Sequence, residues 1–363
     1  MESRTRLYPL LLKTALIFVL FNLTFIFLND LPLGKISLYN SLFPGRERFP
    51  FGETRASYNL SLFDLDAMFA SHVLAGTEKA PDEYRVLLIG DSSVWGTLLT
   101  PEQTLAGQLN ASASNACGKT IRAYNLGYPT IVLTKDLMML DQAREYQPDL
   151  VIWLTTLEAF PNDKQLTSPV VANNAERVED LITNYQIPLN ASEPALVKPS
   201  AWEQTLVSQR RALADLLRLQ IYGALWASTG IDQVYPQDYE RAQTDLEASD
   251  DFHGLASLEN ALAFEVLDAG MSVVPHTILV NEPMLISSGR NSDIRYNFFY
   301  PRWAYDEYRQ QLAEHATNRN WRYLDLWDLV PADEFTNSAI HLTPAGEGLL
   351  ANKILKAIQA ECK

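Results

Sequence analysis

Short apolar runs alternate with stretches of helical spacing over most of this chain. The runs 84–90, 121–126, 149–155, 273–281 and 321–326 are rich in Val, Ile and Leu and end at turn-forming residues, which predicts strands. Apolar positions at three- and four-residue intervals predict helices over 101–110, 131–145, 302–318 and 344–361. Strands apolar on both faces, with helices between them, imply a mostly parallel sheet covered on both sides. The expected fold class is therefore α/β, a three-layer α/β/α sandwich with a mostly parallel five-stranded sheet. In such sheets the site lies at the carboxyl ends of the strands.

Two segments break the alternation. Pro161 to Phe252 is far too long for a strand-to-helix connection and holds helical patterns at 202–226 and 236–248, with Trp202, Tyr222, Trp226 and Tyr235 among them. It is expected to be a helical insertion, either lining the substrate cleft or standing apart as a peripheral subdomain. Leu7 to Leu28 carries a single charge, Lys13, near its leading end. At 1.5 Å per residue the run spans about 33 Å, enough to cross a bilayer. Arg4, Arg6 and Lys13 stand on the leading side, which predicts a cytoplasmic tip and an extracytoplasmic main domain. The sequence after Leu28 lacks a small-x-small cleavage site, favouring an uncleaved anchor over a signal peptide. The expected organisation is tip and anchor at 1–30, stalk at 31–83, core at 84–160 and 253–363, and insertion at 161–252. In the stalk, Arg46 and Arg48 are either lipid-headgroup contacts or ordinary solvated arginines.

The chain has 363 residues and a formal net charge of −15 with the acidic residues scattered, so no basic face is available for nucleic acid. Cys117 and Cys362 either pair in one disulfide or remain two thiols. No spacing of His, Cys, Asp and Glu matches a metal motif, and no metal or other cofactor is expected.

Candidate chemistry begins at Gly90-Asp91-Ser92-Ser93, where the first core strand ends in a sharp turn. A serine there becomes a nucleophile only with a base to take its proton. Of the five histidines, His72, His253, His276 and His315 lie in unremarkable settings. His341 instead precedes Thr343-Pro344, which reads as an N-cap and first helical residue and would hold the loop in place. Gly90-Asp91-Ser92, the glycine of Asn125-Leu126-Gly127 and a late histidine before a C-terminal helix together resemble the SGNH (GDSL-type) hydrolase superfamily, from about Tyr84 to Ala360. That resemblance implies a flavodoxin-like sheet, Ser92 as nucleophile, His341 as base, and the Ser92 and Gly127 amides as oxyanion donors.

Two family positions differ. Where the family carries an asparagine after the third strand, this chain reads Thr155-Thr156-Leu157-Glu158, leaving Thr156 or Asn162 as the third donor. Where it carries an aspartate three residues before the histidine, Ser338 stands, with Asn337, Asp333 and Glu334 nearby as alternatives. Asp91 and Glu282 sit at strand ends on the expected substrate side. The polar, aromatic segment 288–300 adds Arg295, Tyr296 and Tyr300 as candidates for a substrate surface or, alternatively, a buried network fixing the insertion.

The expected function is that of a membrane-anchored, extracytoplasmic serine esterase or O-acyltransferase acting on short acyl esters of envelope carbohydrate. The alternative is a catalytically weak or inactive carbohydrate-binding scaffold of an acylation or export complex. Expected partners are an acyl-ester or polysaccharide substrate, the membrane and, by resemblance to D-alanyl transfer and alginate acetylation proteins, a membrane-bound O-acyltransferase.

Overall fold

Strand β1 (Glu83–Ile89) is buried along its whole length and forms the centre of the molecule. A computed structural model describes residues 2–27, 45–49, 51, 63–229, 238–247 and 257–362. Beside β1, the sheet contains β2 (Asn115–Ala116), β3 (Lys119–Asn125), β4 (Leu150–Thr155), β5 (Thr277–Asn281) and β6 (Arg322–Asp325), in the order β2-β3-β1-β4-β5-β6. The five long strands are parallel, as expected. The sixth, β2, is a two-residue antiparallel edge strand that the sequence pattern did not single out. β1 lies between β3 and β4, so chain order reverses there, the switch point at which open α/β sheets place their sites.

On one face lie α4 (Leu105–Ala111) and α11 (Pro344–Ala360), and on the other α5 (Leu133–Ala143), α9 (Phe264–Val273) and α10 (Arg302–Asn318). This is a three-layer sandwich. Helix α9 was not expected, because the apolar run through Val273 and Val274 reads as the start of a strand. Pro275 interrupts the run, and the strand begins only at Thr277.

Within the insertion, α6 (Pro169–Ala172) and α7 (Ala175–Tyr185) pack on the core near α5, followed by α8 (Leu206–Thr229). The expected helix at 236–248 is absent from its described part, 238–247. Partners outside the segment occupy its backbone groups: Asn291 Nδ2 donates to Leu246 O (2.9 Å), Arg295 Nη1 to Glu247 O (3.0 Å), and Ala242 N to Thr336 O (2.7 Å). Local helical hydrogen bonds would compete for those same groups.

The N-terminal helix α1 (Glu2–Phe27) contains a 21-residue apolar stretch, Leu7–Phe27, with mean hydropathy 2.2. It is long and apolar enough to cross a membrane, although a leader sequence passes the same test. Leu28, the end of the expected span, lies outside the described residues. The short helix α2 (Leu65–Ser71) and residues 45–49 pack on the core beside β3. Arg46 and Arg48 are both buried, which corrects the expectation of lipid-facing or solvated side chains.

At the sheet edge, Cys117 and Cys362 form a disulfide with Cα atoms 4.9 Å apart. It joins the β2–β3 turn to the end of α11 across 245 residues of sequence.

Candidate active site

After β1 the chain passes through Gly90 and Asp91 into α3 (Ser92–Trp95), a single turn. The Asp91 side chain caps it, accepting from Ser93 N at 2.8 Å. Gly96, at φ +84°, ends it in the left-handed region that favours glycine. Arg48 secures the far end. Its Nη1 donates to Gly96 O (3.0 Å) and Leu99 O (2.9 Å), and its guanidinium lies 4.6 Å from the centre of the Trp95 ring. A buried cation holding these carbonyls fixes the turn that carries Ser92.

His341 reaches this turn from a loop closed on itself. Thr336 N donates to His341 O (2.8 Å), Thr343 N to Glu334 O (2.8 Å), and Leu285 N to Ala339 O (2.8 Å), which ties the loop to the chain leaving β5. Thr343 caps α11 by accepting from Gly346 N (3.1 Å), and Pro344 opens the helix.

Across 249 positions of sequence, His341 Nε2 lies 2.8 Å from Ser92 Oγ. Its other nitrogen, Nδ1, lies 2.8 Å from Asn337 Oδ1. A carboxamide oxygen only accepts, so Nδ1 carries the proton and Nε2 is left to accept from the serine hydroxyl. Burial pushes the His341 imidazole down to about 4, which keeps the ring neutral at neutral pH.

Of the candidate orienting groups, the structure brings only Asn337 to the imidazole. Glu334 bonds Thr343 Oγ1, and the Asp333 backbone carbonyl takes Arg241 Nη1. Ser338 makes no hydrogen bond to the ring.

The oxyanion donors fare unequally. The Ser92 amide, at the start of α3, has no acceptor among the described residues. The Gly127 amide donates to Asn125 Oδ1 (3.0 Å), so in this arrangement it does not point at a substrate oxygen. Gly127 has a packing role as well: a Cβ there would lie 2.4 Å from Trp95 N, so only glycine lets the turn after β3 touch α3. Thr156 follows β4, the strand paired with β1, and its buried hydroxyl has no hydrogen-bond partner among the described residues. The Asn162 side chain instead donates to Asn260 O (3.0 Å), on the chain returning from the insertion.

Beneath Ser92 lies a buried polar network. Ser93 Oγ hydrogen-bonds Glu282 Oε2. Burial, and secondarily the nearby Asp91 charge, push the Glu282 carboxyl well above the ordinary carboxylate range. Burial also raises Asp91, opposed by Lys135. The fully buried Lys135 ammonium donates to Gly90 O (2.6 Å) and Tyr128 O (3.2 Å), joining the loops after β1 and β3, and it pairs with Asp136 at 2.5 Å. Asp136 in turn accepts from Trp153 Nε1 (3.1 Å). Sequence reasoning placed Asp91 and Glu282 on the substrate side, but both are buried supports of the nucleophile turn. Ser93, Lys135 and Arg48 were missed. Their polar and charged neighbours, Arg46 and Glu47 beside Arg48 and Thr134 and Asp136 beside Lys135, make them read as solvated residues.

Arg295 and Tyr300 do not form a substrate surface. Arg295 is fully buried and donates to Asn297 O (3.0 Å) and Glu247 O (3.0 Å). Tyr300 is buried against Lys164 Nζ (3.1 Å). Arg295 thus fastens the 238–247 segment to the core and Tyr300 meets the insertion at Lys164, the alternative left open by sequence. Tyr296 keeps partial exposure and donates to Asp306 (2.7 Å). Among the described residues no group of three or more His, Cys, Asp or Glu is placed to hold a metal ion.

No family model matches the chain, and no curated protein matches it. Solved structures similar to it include a member of the lipolytic protein G-D-S-L family from Veillonella parvula DSM 2008, at 10% identity, covering 75% of this chain and 96% of that one with a TM-score of 0.34. The M. smegmatis aryl esterase is similar at 12% identity, 76% and 98% coverage and a TM-score of 0.36. Est24, a carbohydrate acetylesterase from Sinorhizobium meliloti, is similar at 14% identity, 76% and 99% coverage and a TM-score of 0.34. Likeness at this level assigns neither activity nor substrate to this chain.

Proposed function

We propose that this chain is a serine esterase of the SGNH type, anchored by α1 with its core outside the cytoplasm, and that it moves short acyl groups on envelope carbohydrate. The observation that supports this reading is the unbroken hydrogen-bond chain Ser92–His341–Asn337 at the carboxyl end of β1. Ser92 Oγ attacks the ester carbonyl while His341 Nε2 takes its proton, and Asn337 holds the tautomer that makes this possible. The Ser92 amide and the Thr156 hydroxyl receive the developing negative charge. Collapse of the tetrahedral species breaks the bond to the alcohol, which takes the proton from His341 and leaves an acyl-serine. Water then gives hydrolysis and a sugar hydroxyl gives transfer, with the same base serving both. A membrane-bound O-acyltransferase is the proposed partner that supplies or receives the acyl group.

One observation favours a second reading, a scaffold with little turnover: the Gly127 amide is already engaged by Asn125. Losing one oxyanion donor costs about 2.7–4 kcal/mol, which slows acyl transfer without abolishing it. Turnover of an acetyl ester by the full chain in detergent, beside Ser92→Ala and His341→Ala, separates the two. Loss of turnover in both variants supports the enzyme, whereas a wild type no faster than Ser92→Ala supports the scaffold.

A further inference from the structure

The long insertion helix α8 joins the membrane-type helix rather than the catalytic cleft. Its N-terminus docks on α1: Val207 N donates to Asn22 Oδ1 at 3.0 Å, while Asn22 Nδ2 bonds Phe18 O (2.9 Å) within its own helix. Asn22, a polar residue inside an apolar helix, is thus buried as the cap of a second helix. It stands five residues before Phe27, so α8 starts about 8 Å short of the end of the apolar stretch.

From that level α8 carries an apolar stripe that nothing among the described residues covers. Leu217 (70% exposed), Ile221 (68%) and Leu225 (56%) recur at four-residue spacing, with exposures like those of Leu12 and Ile17 on α1. Arg210, Arg211 and Arg218 are exposed beside the stripe, in a chain whose net charge is −15. Trp202 stands exposed just before the helix, suited to the boundary between headgroups and water. Apolar residues on one face, flanking arginines, and a start below the end of the spanning helix fit an element lying in the interface of an anionic bilayer. With Arg218 at mid-helix, α8 fits a bilayer surface better than a span.

We infer that α8 is a second membrane contact, seated in the outer interface beside α1, which fixes how the catalytic core stands over the lipid surface. This rests on α1 being an anchor that spans the bilayer with the core outside.

The test uses the full chain in nanodiscs of phosphatidylcholine and phosphatidylglycerol. Nitroxide labels are placed singly at Ile221→Cys, Leu225→Cys, Leu16→Cys on α1, and Glu259→Cys on the exposed core surface, with retained Tm confirming each fold. The native cysteines are paired and take no label. Accessibility to oxygen and to a water-soluble nickel chelate is read by relaxation. The expected result is an oxygen-to-nickel ratio at Ile221 and Leu225 several-fold above that at Glu259 and in the direction of Leu16. Nickel access at Ile221 and Leu225 equal to Glu259, with Leu16 lipid-exposed, would overturn the inference while leaving the anchor intact. Nickel access at Leu16 as well would overturn both. Shielding of Ile221 and Leu225 from both reagents would mean a protein covers the stripe, and would also overturn it.

Discussion

Replacing Asn337 with aspartate places a carboxylate where a neutral oxygen now sits, 2.8 Å from His341 Nδ1. With charge centres roughly 4 Å apart, the attraction between carboxylate and imidazolium is about 4 kcal/mol at an effective dielectric of 20 and about 1 kcal/mol at that of water. Asn337 is exposed, so the lower part of this range applies, equivalent to roughly 1–2 pKa units. A negative neighbour favours the protonated ring, so the imidazole rises from about 4 toward 5 or 6. In the wild type, kcat/KM for an acetyl ester should hold as pH falls to about 5 and then decline as His341 protonates. In Asn337→Asp that acid limb should lie roughly 1–2 units higher, with the plateau equal to or above wild type. Asn337→Ala should lower the plateau without moving the limb upward. An acid limb that stays in place in Asn337→Asp would refute the assignment of Asn337 as the group that orients the base.

Three further outcomes follow from the surroundings of the site. Lys135→Met strands Asp136 and frees the carbonyls of Gly90 and Tyr128, so denaturant unfolding should show a loss of about 3–5 kcal/mol, with kcat falling more than KM rises. Burial pushes Glu347 up to about 8, so the folded state keeps its proton between pH 4.5 and 8 while the unfolded chain loses it, and stability falls as pH rises through that window. Glu347→Gln should therefore stabilise by up to about 3 kcal/mol at pH 7, from 1.36 kcal/mol per unit above 4.5, and by almost nothing at pH 4.5; an equal gain in Tm at both pH values would contradict this. Cys362→Ser opens a cross-link spanning 245 residues and should cost about 2–5 kcal/mol, read as a lower Tm in the variant and no further drop on adding reductant.

The strands were legible because β1, β4 and β5 are buried on both faces and leave near-continuous apolar runs. Ser92 and His341 were legible for a local reason: one follows a strand end, and the other precedes a Thr-Pro helix start that holds its loop. Asn337 could be placed among the alternatives but not chosen, since the choice depends on how residues 335–342 close back on one another. The buried network of Ser93, Glu282, Asp91 and Lys135 was not legible. It joins three separate segments, and its charged members look in one dimension like solvated residues. Helix α9 was hidden because its apolar residues merge with those of β5, and the irregular 238–247 segment because Arg295 and Asn291 bind its backbone from a distant loop.

The most direct measurement is the mass of the Ser92 peptide after the full-length protein meets a fluorophosphonate, which reacts with a serine only where a base and oxyanion donors activate it. One phosphonyl group per chain on the peptide containing Ser92, absent in His341→Ala, is the predicted result. An unmodified Ser92 peptide, or modification of another serine while ester turnover persists, would contradict it.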